Sequence, residues 1–161
     1  GRPKGQGKFG EKTKPIRIPI SKIDNVMNFI NNSNISLPLY SSKVPAGFPS
    51  PADDHMEGKL DLNTHLVKHP AATFFVKASG DSMLGAGIHD GDILVVDRSL
   101  EPRKGKVVIA AVDGQLTVKR LQKKGSKIFL VPENKKFRSI ELNENNDVKI
   151  WGVVTNVIHK V

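Results

Sequence analysis

The 161-residue sequence has no cysteine. Without thiols, neither a disulfide framework nor a thiolate metal site can form, and a reducing compartment is the simplest setting. Long apolar runs are absent too: none approaches the roughly 20 residues that a membrane-crossing helix requires. The amino end, GRPKGQGKFGEKTK, carries charge with no signal-peptide hydrophobic segment behind it. A soluble, unexported, cytoplasmic protein is expected, with no membrane partner. There is no internal repeat. A chain of this length has room for one domain and an appendage, and such a domain can bury a self-sufficient core without metals or disulfides.

Positive charge is plentiful, and it is unevenly placed. Of the net +9, residues 1–46 hold eight Lys or Arg against two acids, a balance of +6. Residues 47–161 hold seventeen against fourteen, a balance of +3. Nucleic acid or an acidic protein face would be drawn to the first segment, and GRPKG resembles the Gly-Arg-Pro core of minor-groove AT-hook peptides. Direct DNA contact by this arm is one reading, and a solvated basic tail is the plainer one. Residues 1–14 offer almost nothing to bury and are expected to be flexible.

Next, PIRIPI sets Ile16, Ile18 and Ile20 at strand period. SKIDNVMNFI sets Ile23, Val26, Met27 and Ile30 along one helical face, with Ser21 as N-cap and Asp24 three residues on. The Asn-, Ser- and Pro-rich run NNSNISLPLYSSKVPAGFPSPADD predicts a long extended connection. KLDLNTHLVKH suits a helix starting near Asp61. From Thr73 onward, TFFVKA, ILVVD, KVVIAAV, QLTVKRL, KIFLVP and VKIWGVVTNVIHKV read as strands. Asp113-Gly114 joins two of them and suits the positive backbone angles of a two-residue hairpin turn. The expected fold is mainly β: curved, mostly antiparallel sheets forming a partly closed barrel.

The chemistry-bearing stretch is KASGDSMLGAGIHDGDILVVD. Ser82 lies in a Gly-bounded turn behind an apolar strand, where amides of a tight turn can converge on one point as an oxyanion site requires. A hydroxyl nucleophile needs a base, and TVKRL offers Lys119. Lysine serves only when neutral; its free pKa is about 10.4, and apolar neighbours such as Leu116, Val118 and Leu121 would lower it. On residue type alone the ordinary readings carry more weight, a turn serine and a strand lysine with its head in solvent. His65 and His69 stand one helical turn apart with no acidic residue between them; they suit an exposed helix face better than zinc, and neither a metal nor a cofactor is expected.

The motifs GFPSPADD, DLNTHLVKHPAATFFVKASGDSM, DGDILVVD, VVIAAVDG and LTVKRLQ resemble the UmuD and LexA family of self-cleaving serine proteases, over roughly residues 47–161. The resemblance implies a Ser-Lys dyad of Ser82 and Lys119, with backbone N–H groups of Asp81 and Ser82 holding the oxyanion. It places the cleaved bond at Ala46-Gly47, so that residues 1–46 are a removable arm and residues 47–161 the protease and dimerisation domain. It further implies a homodimer, stimulation by a RecA filament on single-stranded DNA, and assembly of the cut form with a UmuC-like lesion-bypass DNA polymerase. Ala46 matches the LexA version of the site where UmuD has Cys, and Pro45 is a departure that restricts Val44 to extended conformations. The alternative within the family is a LexA-like repressor, which requires an amino-terminal DNA-binding module. A catalytically idle dimer that only regulates a polymerase is a third reading, opposed by the intact Ser82 and Lys119.

Overall fold

The alternating apolar residues after Thr73 organise into one sheet. The computed structural model describes residues 14–31, 35–41, 44, 56–143 and 147–161. Its main sheet has seven strands: β3 (Thr73–Lys77), β4 (Ile93–Asp97), β5 (Val107–Val112), β6 (Gln115–Lys124), β7 (Lys127–Val131), β8 (Ile140–Leu142) and β9 (Val148–Ile158). They lie in the order β3-β4-β9-β5-β6-β7-β8, every neighbouring pair antiparallel. The expected β fold is borne out as an open sheet rather than a closed barrel, with β3 and β8 at its edges.

The late strand β9 lies in the middle, and a register shift interrupts its ladder on each side, at Val95/Val96 and at Ile109/Ala110. Such irregularities sharpen twist and bend a sheet. Gly152 permits the close crossing with β4: a Cβ there would stand 2.8 Å from Val96 Cγ1 and 2.9 Å from the Asp97 carbonyl oxygen. The β5–β6 hairpin closes as expected, with Asp113 at φ 49° and Gly114 at φ 79°, the left-handed pair of a type I′ turn.

Adjacent strand residues feed two separate clusters. Ile109 packs with Ala78, Met83, Ile88, Leu94 and Val96. Its neighbour Val108 packs with Ala110, Leu121, Leu130 and Val153. Each fully buried side chain of this size contributes about 1.5–3 kcal/mol, and no buried core residue precedes Ala78 among the described residues.

The amino-terminal part departs from expectation in three places. PIRIPI forms no strand: residues 14–19 have no regular structure, and Ile20–Lys22 is a 3-10 turn leading into α1 (Ile23–Asn31). Pro15 and Pro19 remove backbone donors that a ladder would need. Ser21 accordingly lies inside the 3-10 turn rather than capping the helix, while Asp24 sits in the first turn of α1, favourable to its dipole. Within the predicted long connection, Ser36–Tyr40 forms strand β1. It pairs antiparallel with β2 (Met56–Asp61), from Ser36 opposite Asp61 to Tyr40 opposite Met56.

Helix α2 (Leu62–Leu66) starts as expected at Asp61, whose carboxylate accepts from the Asn63 amide at 2.9 Å and the Thr64 hydroxyl at 2.9 Å. It ends before His69, which precedes Pro70 and is therefore steered away from helical geometry. His65 is exposed on α2, but His69 is not on the helix at all. It lies 2.6 Å from Asp97, an acidic partner that adjacent sequence positions did not suggest.

Candidate active site

Turn 78–92 between β3 and β4 is bound to itself and to the strand ends. The Ala78 amide donates to the Asp92 carbonyl at 2.8 Å, the Gly91 amide to Ala78 at 3.0 Å, and the Gly80 amide to the Asp90 carboxylate at 2.7 Å. Met83 points into the core and is fully buried, anchoring its neighbour Ser82. Lys119 is presented from β6 beside Thr117 and Leu121 on the same side of the strand, with fully buried Val108 as its cross-strand partner. Leu116 and Val118, expected among its apolar surroundings, alternate to the other face of β6 and line the cleft beside Ser82.

These two elements, 37 positions apart in sequence, bring Lys119 Nζ to 2.9 Å from Ser82 Oγ. The amine also reaches Thr117 Oγ1 at 2.8 Å and the Val118 carbonyl oxygen at 2.9 Å. Lys119 is 8% exposed and has no carboxylate partner among the described residues. Burial holds its ammonium form below the usual lysine range, because a low-dielectric site penalises the charged state. A neutral amine has two N–H donors and one lone pair, so Thr117 and Val118 can take the donors while the lone pair faces the Ser82 hydroxyl.

A third element, missed from sequence, buttresses the turn. The Glu133 amide, just past β7, donates to the Ser82 carbonyl at 2.9 Å, and the Gly85 amide donates to the Glu133 carbonyl at 2.7 Å. Asn134 Nδ2 donates to the Asp81 carbonyl at 2.9 Å. Arg120, next to Lys119, pairs with Glu133 and donates to the Gly105 carbonyl at 2.6 Å. Gly85 must be Gly here, since a Cβ would lie 2.6 Å from the Glu133 carbonyl oxygen. The Asp81 and Ser82 carbonyls are thus tied back, and no described residue accepts a hydrogen bond from either amide N–H.

An apolar cleft of about 180 Å³ opens beside Ser82, walled by Val76, Leu94, Ile109, Leu116 and Val118. The expected cleavage site, Ala46-Gly47, lies outside the described residues. Val44, two residues before it, stands in solvent at 92% exposure.

A buried lysine with no carboxylate partner among the described residues, set against a serine held in a rigid turn, defines a candidate for serine hydrolysis. The chain matches the peptidase S24-like family over residues 38–155. It is 50% identical to protein SamA of Salmonella typhimurium over 123 residues, covering 76% of this chain and 85% of that one. To protein ImpA of Escherichia coli it is 48% identical over 124 residues, covering 76% and 83%. To the LexA repressor of Pasteurella multocida it is 38% identical over 130 residues, covering 80% of this chain and 61% of the repressor. The chain belongs to the peptidase S24-like family of serine peptidases, and the UmuD-type resemblance carried by its motifs is borne out.

Proposed function

We propose that the protein is a self-cleaving serine-lysine peptidase of the SOS mutagenesis type, which cuts its own Ala46-Gly47 bond and releases a basic arm. The observation that carries the reading is the 2.9 Å approach of Lys119 Nζ to Ser82 Oγ in a site that disfavours the ammonium. Neutral Lys119 takes the Ser82 hydroxyl proton as Oγ attacks the Ala46 carbonyl carbon. The Asp81 and Ser82 amides stabilise the oxyanion. The tetrahedral intermediate collapses with loss of the Gly47 amine, which receives the proton from Lys119. Water then attacks the acyl-enzyme at Ala46 and gives its proton to Lys119, which passes it to Ser82 Oγ as the bond to Ala46 breaks, so that the Ala46 carboxyl group leaves and both residues are restored. Small Ala46 and Gly47 let the backbone come close.

Because the substrate is part of the chain, its effective concentration is high by construction, and the rate is governed by how often residues 43–48 dock on the site. Strands β1 and β2 bracket this segment, from Tyr40 to its partner Met56, and keep it tethered. In this reading a RecA filament on single-stranded DNA favours the docked conformation. The homodimer of residues 47–161 then joins a UmuC-like lesion-bypass polymerase in the cytoplasm. A LexA-like repressor reading is weaker: the chain is 50% and 48% identical to SamA and ImpA but 38% identical to the LexA repressor.

Incubation of purified protein with and without RecA, nucleotide and single-stranded DNA, followed on gels, tests the proposal. Accelerated conversion to one shorter chain in the complete mixture is expected. Identical rates in all mixtures would remove RecA from the account, and no conversion even at alkaline pH would remove the peptidase activity.

A further inference from the structure

Away from the Ser82 hydroxyl, the same turn takes part in a second cluster. In the β4–β9 ladder Ile93 stands opposite Ile158, so the preceding and following residues, Asp92 and His159, meet at the end of the sheet. Asp92 has a nearly buried side chain, 3% exposed, with Oδ1 2.6 Å from His159 Nδ1. Its Oδ2 accepts from the His89 amide at 2.8 Å. The His89 ring turns back toward the same carboxylate, with Nδ1 3.7 Å from Oδ2. That is too long for a hydrogen bond, and among the described residues this nitrogen has no other partner. The two imidazole rings lie 4.7 Å apart, and one ligand atom from each of the three residues falls within 4.8 Å of the others.

The pair His69–Asp97 provides an internal contrast. There a single imidazole meets a buried carboxylate whose other oxygen is filled by the Ser99 amide and hydroxyl, at 2.8 and 2.6 Å. Both carboxylate oxygens of Asp97 are thus occupied. At Asp92 two imidazoles from distant parts of the chain converge on one carboxylate, and His89 Nδ1, turned toward it, makes no hydrogen bond among the described residues.

We propose that His89, Asp92 and His159 form a binding site for a transition-metal dication, with zinc the best fit. Zinc takes imidazole nitrogen and carboxylate oxygen at about 2.0–2.2 Å and completes a tetrahedron with water when the protein gives three ligands. Tetrahedral ligands at those lengths stand about 3.4 Å apart. One ligand atom from each residue already lies within 4.8 Å of the others, so side-chain shifts of about 1–1.5 Å bring the three to that spacing. Magnesium and calcium favour all-oxygen shells and are poorly matched. The side chains of His89 and His159 are 48% and 45% exposed, so the ion has a path from solvent. Once bound, it fastens the end of β9 to the turn that carries Ser82. The site departs from the expectation of no metal, which had weighed only His65 and His69.

Titration of the whole purified chain with Co²⁺, followed by its visible absorption, with Zn²⁺ as competitor, tests the site. One Co²⁺ per chain with tetrahedral-type bands, displaced by Zn²⁺ and not by Mg²⁺, is expected. His89→Gln and His159→Gln should each weaken binding by about 100-fold, beyond the lower end of what loss of an outer-shell partner costs. The double substitution should abolish it and remove the rise in unfolding temperature that Zn²⁺ gives the unaltered chain. His65→Ala should leave both signals intact. Binding that survives in both single variants, binding lost with His65→Ala, or no Co²⁺ bands in the unaltered chain would overturn the proposal. Because both rings are half exposed, the Gln variants are expected to keep their fold, which circular dichroism checks.

Discussion

The sheet from Thr73 onward and the segment before it are built on opposite terms. The first buries two apolar clusters, ties its turns with named hydrogen bonds and holds Ser82 against Lys119. The second shows its apolar side chains to solvent: Phe29 is 80% exposed, and Ile16, Ile30, Leu37 and Tyr40 are exposed as well. α1 is amphipathic, yet none of its residues is buried among those described. The contrast teaches where control lies. Ser82 and Lys119 already stand within hydrogen-bond distance, and under the proposed function such preorganisation costs no rearrangement at the moment of reaction, so a regulator would act by delivering the cleavage segment rather than by assembling the site.

Six substitutions would break or sharpen this contrast. Ser82→Ala should reduce self-cleavage by about a millionfold, the scale seen when a nucleophile is removed, while leaving the unfolding temperature unchanged; time courses by gel and a thermal melt read both. Lys119→Arg should cost about 10²–10⁴-fold, the usual worth of a general base, because guanidinium stays protonated. In the unaltered chain the unassisted rate should rise with pH and level off once Lys119 is neutral. Stability should rise with pH as well. Burial lowers the Lys119 pKa in the fold, so between the folded and unfolded pKa values the unfolded chain binds more protons. The penalty is complete below the folded value and gone above the unfolded one. Lys119→Met should therefore stabilise the fold at neutral pH, with a gain that shrinks under alkaline conditions in chemical denaturation.

The structural half of the contrast gives smaller effects. Leu94→Ala should destabilise by about 2–5 kcal/mol, as large-to-small changes in a packed core do. Gly85→Ala, forced against the Glu133 carbonyl, should cost about 1–3 kcal/mol and slow cleavage by displacing the Ser82 turn. Phe29→Ser should stay within about 0.5 kcal/mol, as exposed substitutions do. Urea unfolding of the three variants ranks them; a Phe29 effect as large as that of Leu94 would mean that α1 packs somewhere in solution and that the two regions are not built differently.

What could be read from the sequence follows the range of the forces involved. The strands after Thr73 were legible because alternation and turn chemistry are local, and Asp113-Gly114 adopts the positive angles its residue types favour. The Asp61 cap was legible for the same reason. PIRIPI misled because its isoleucines keep strand period while Pro15 and Pro19 withdraw donors. Strand β1 was hidden in a Pro-rich stretch, since it owes its existence to pairing with β2, a partner that no local pattern announces. At the site, Ser82 and Lys119 were visible through motif resemblance, whereas their 2.9 Å approach was not. Glu133 and Asn134, which brace the turn, lie about 50 positions from it and act largely through backbone groups, so their residue types gave little signal. His159 likewise meets Asp92 only because β9 pairs with β4.

The central claim is that Ser82 and Lys119 cut the chain at one bond in a segment delivered to them. Intact-mass analysis of the protein after alkaline incubation, alongside Ser82→Ala and Ala46→Trp, tests it most directly. The account predicts a folded product whose new amino terminus is Gly47 and a released fragment ending at Ala46. It predicts no product from Ser82→Ala, and none from Ala46→Trp, whose indole crowds the approach. A product beginning elsewhere, or the same product from Ser82→Ala, would contradict it.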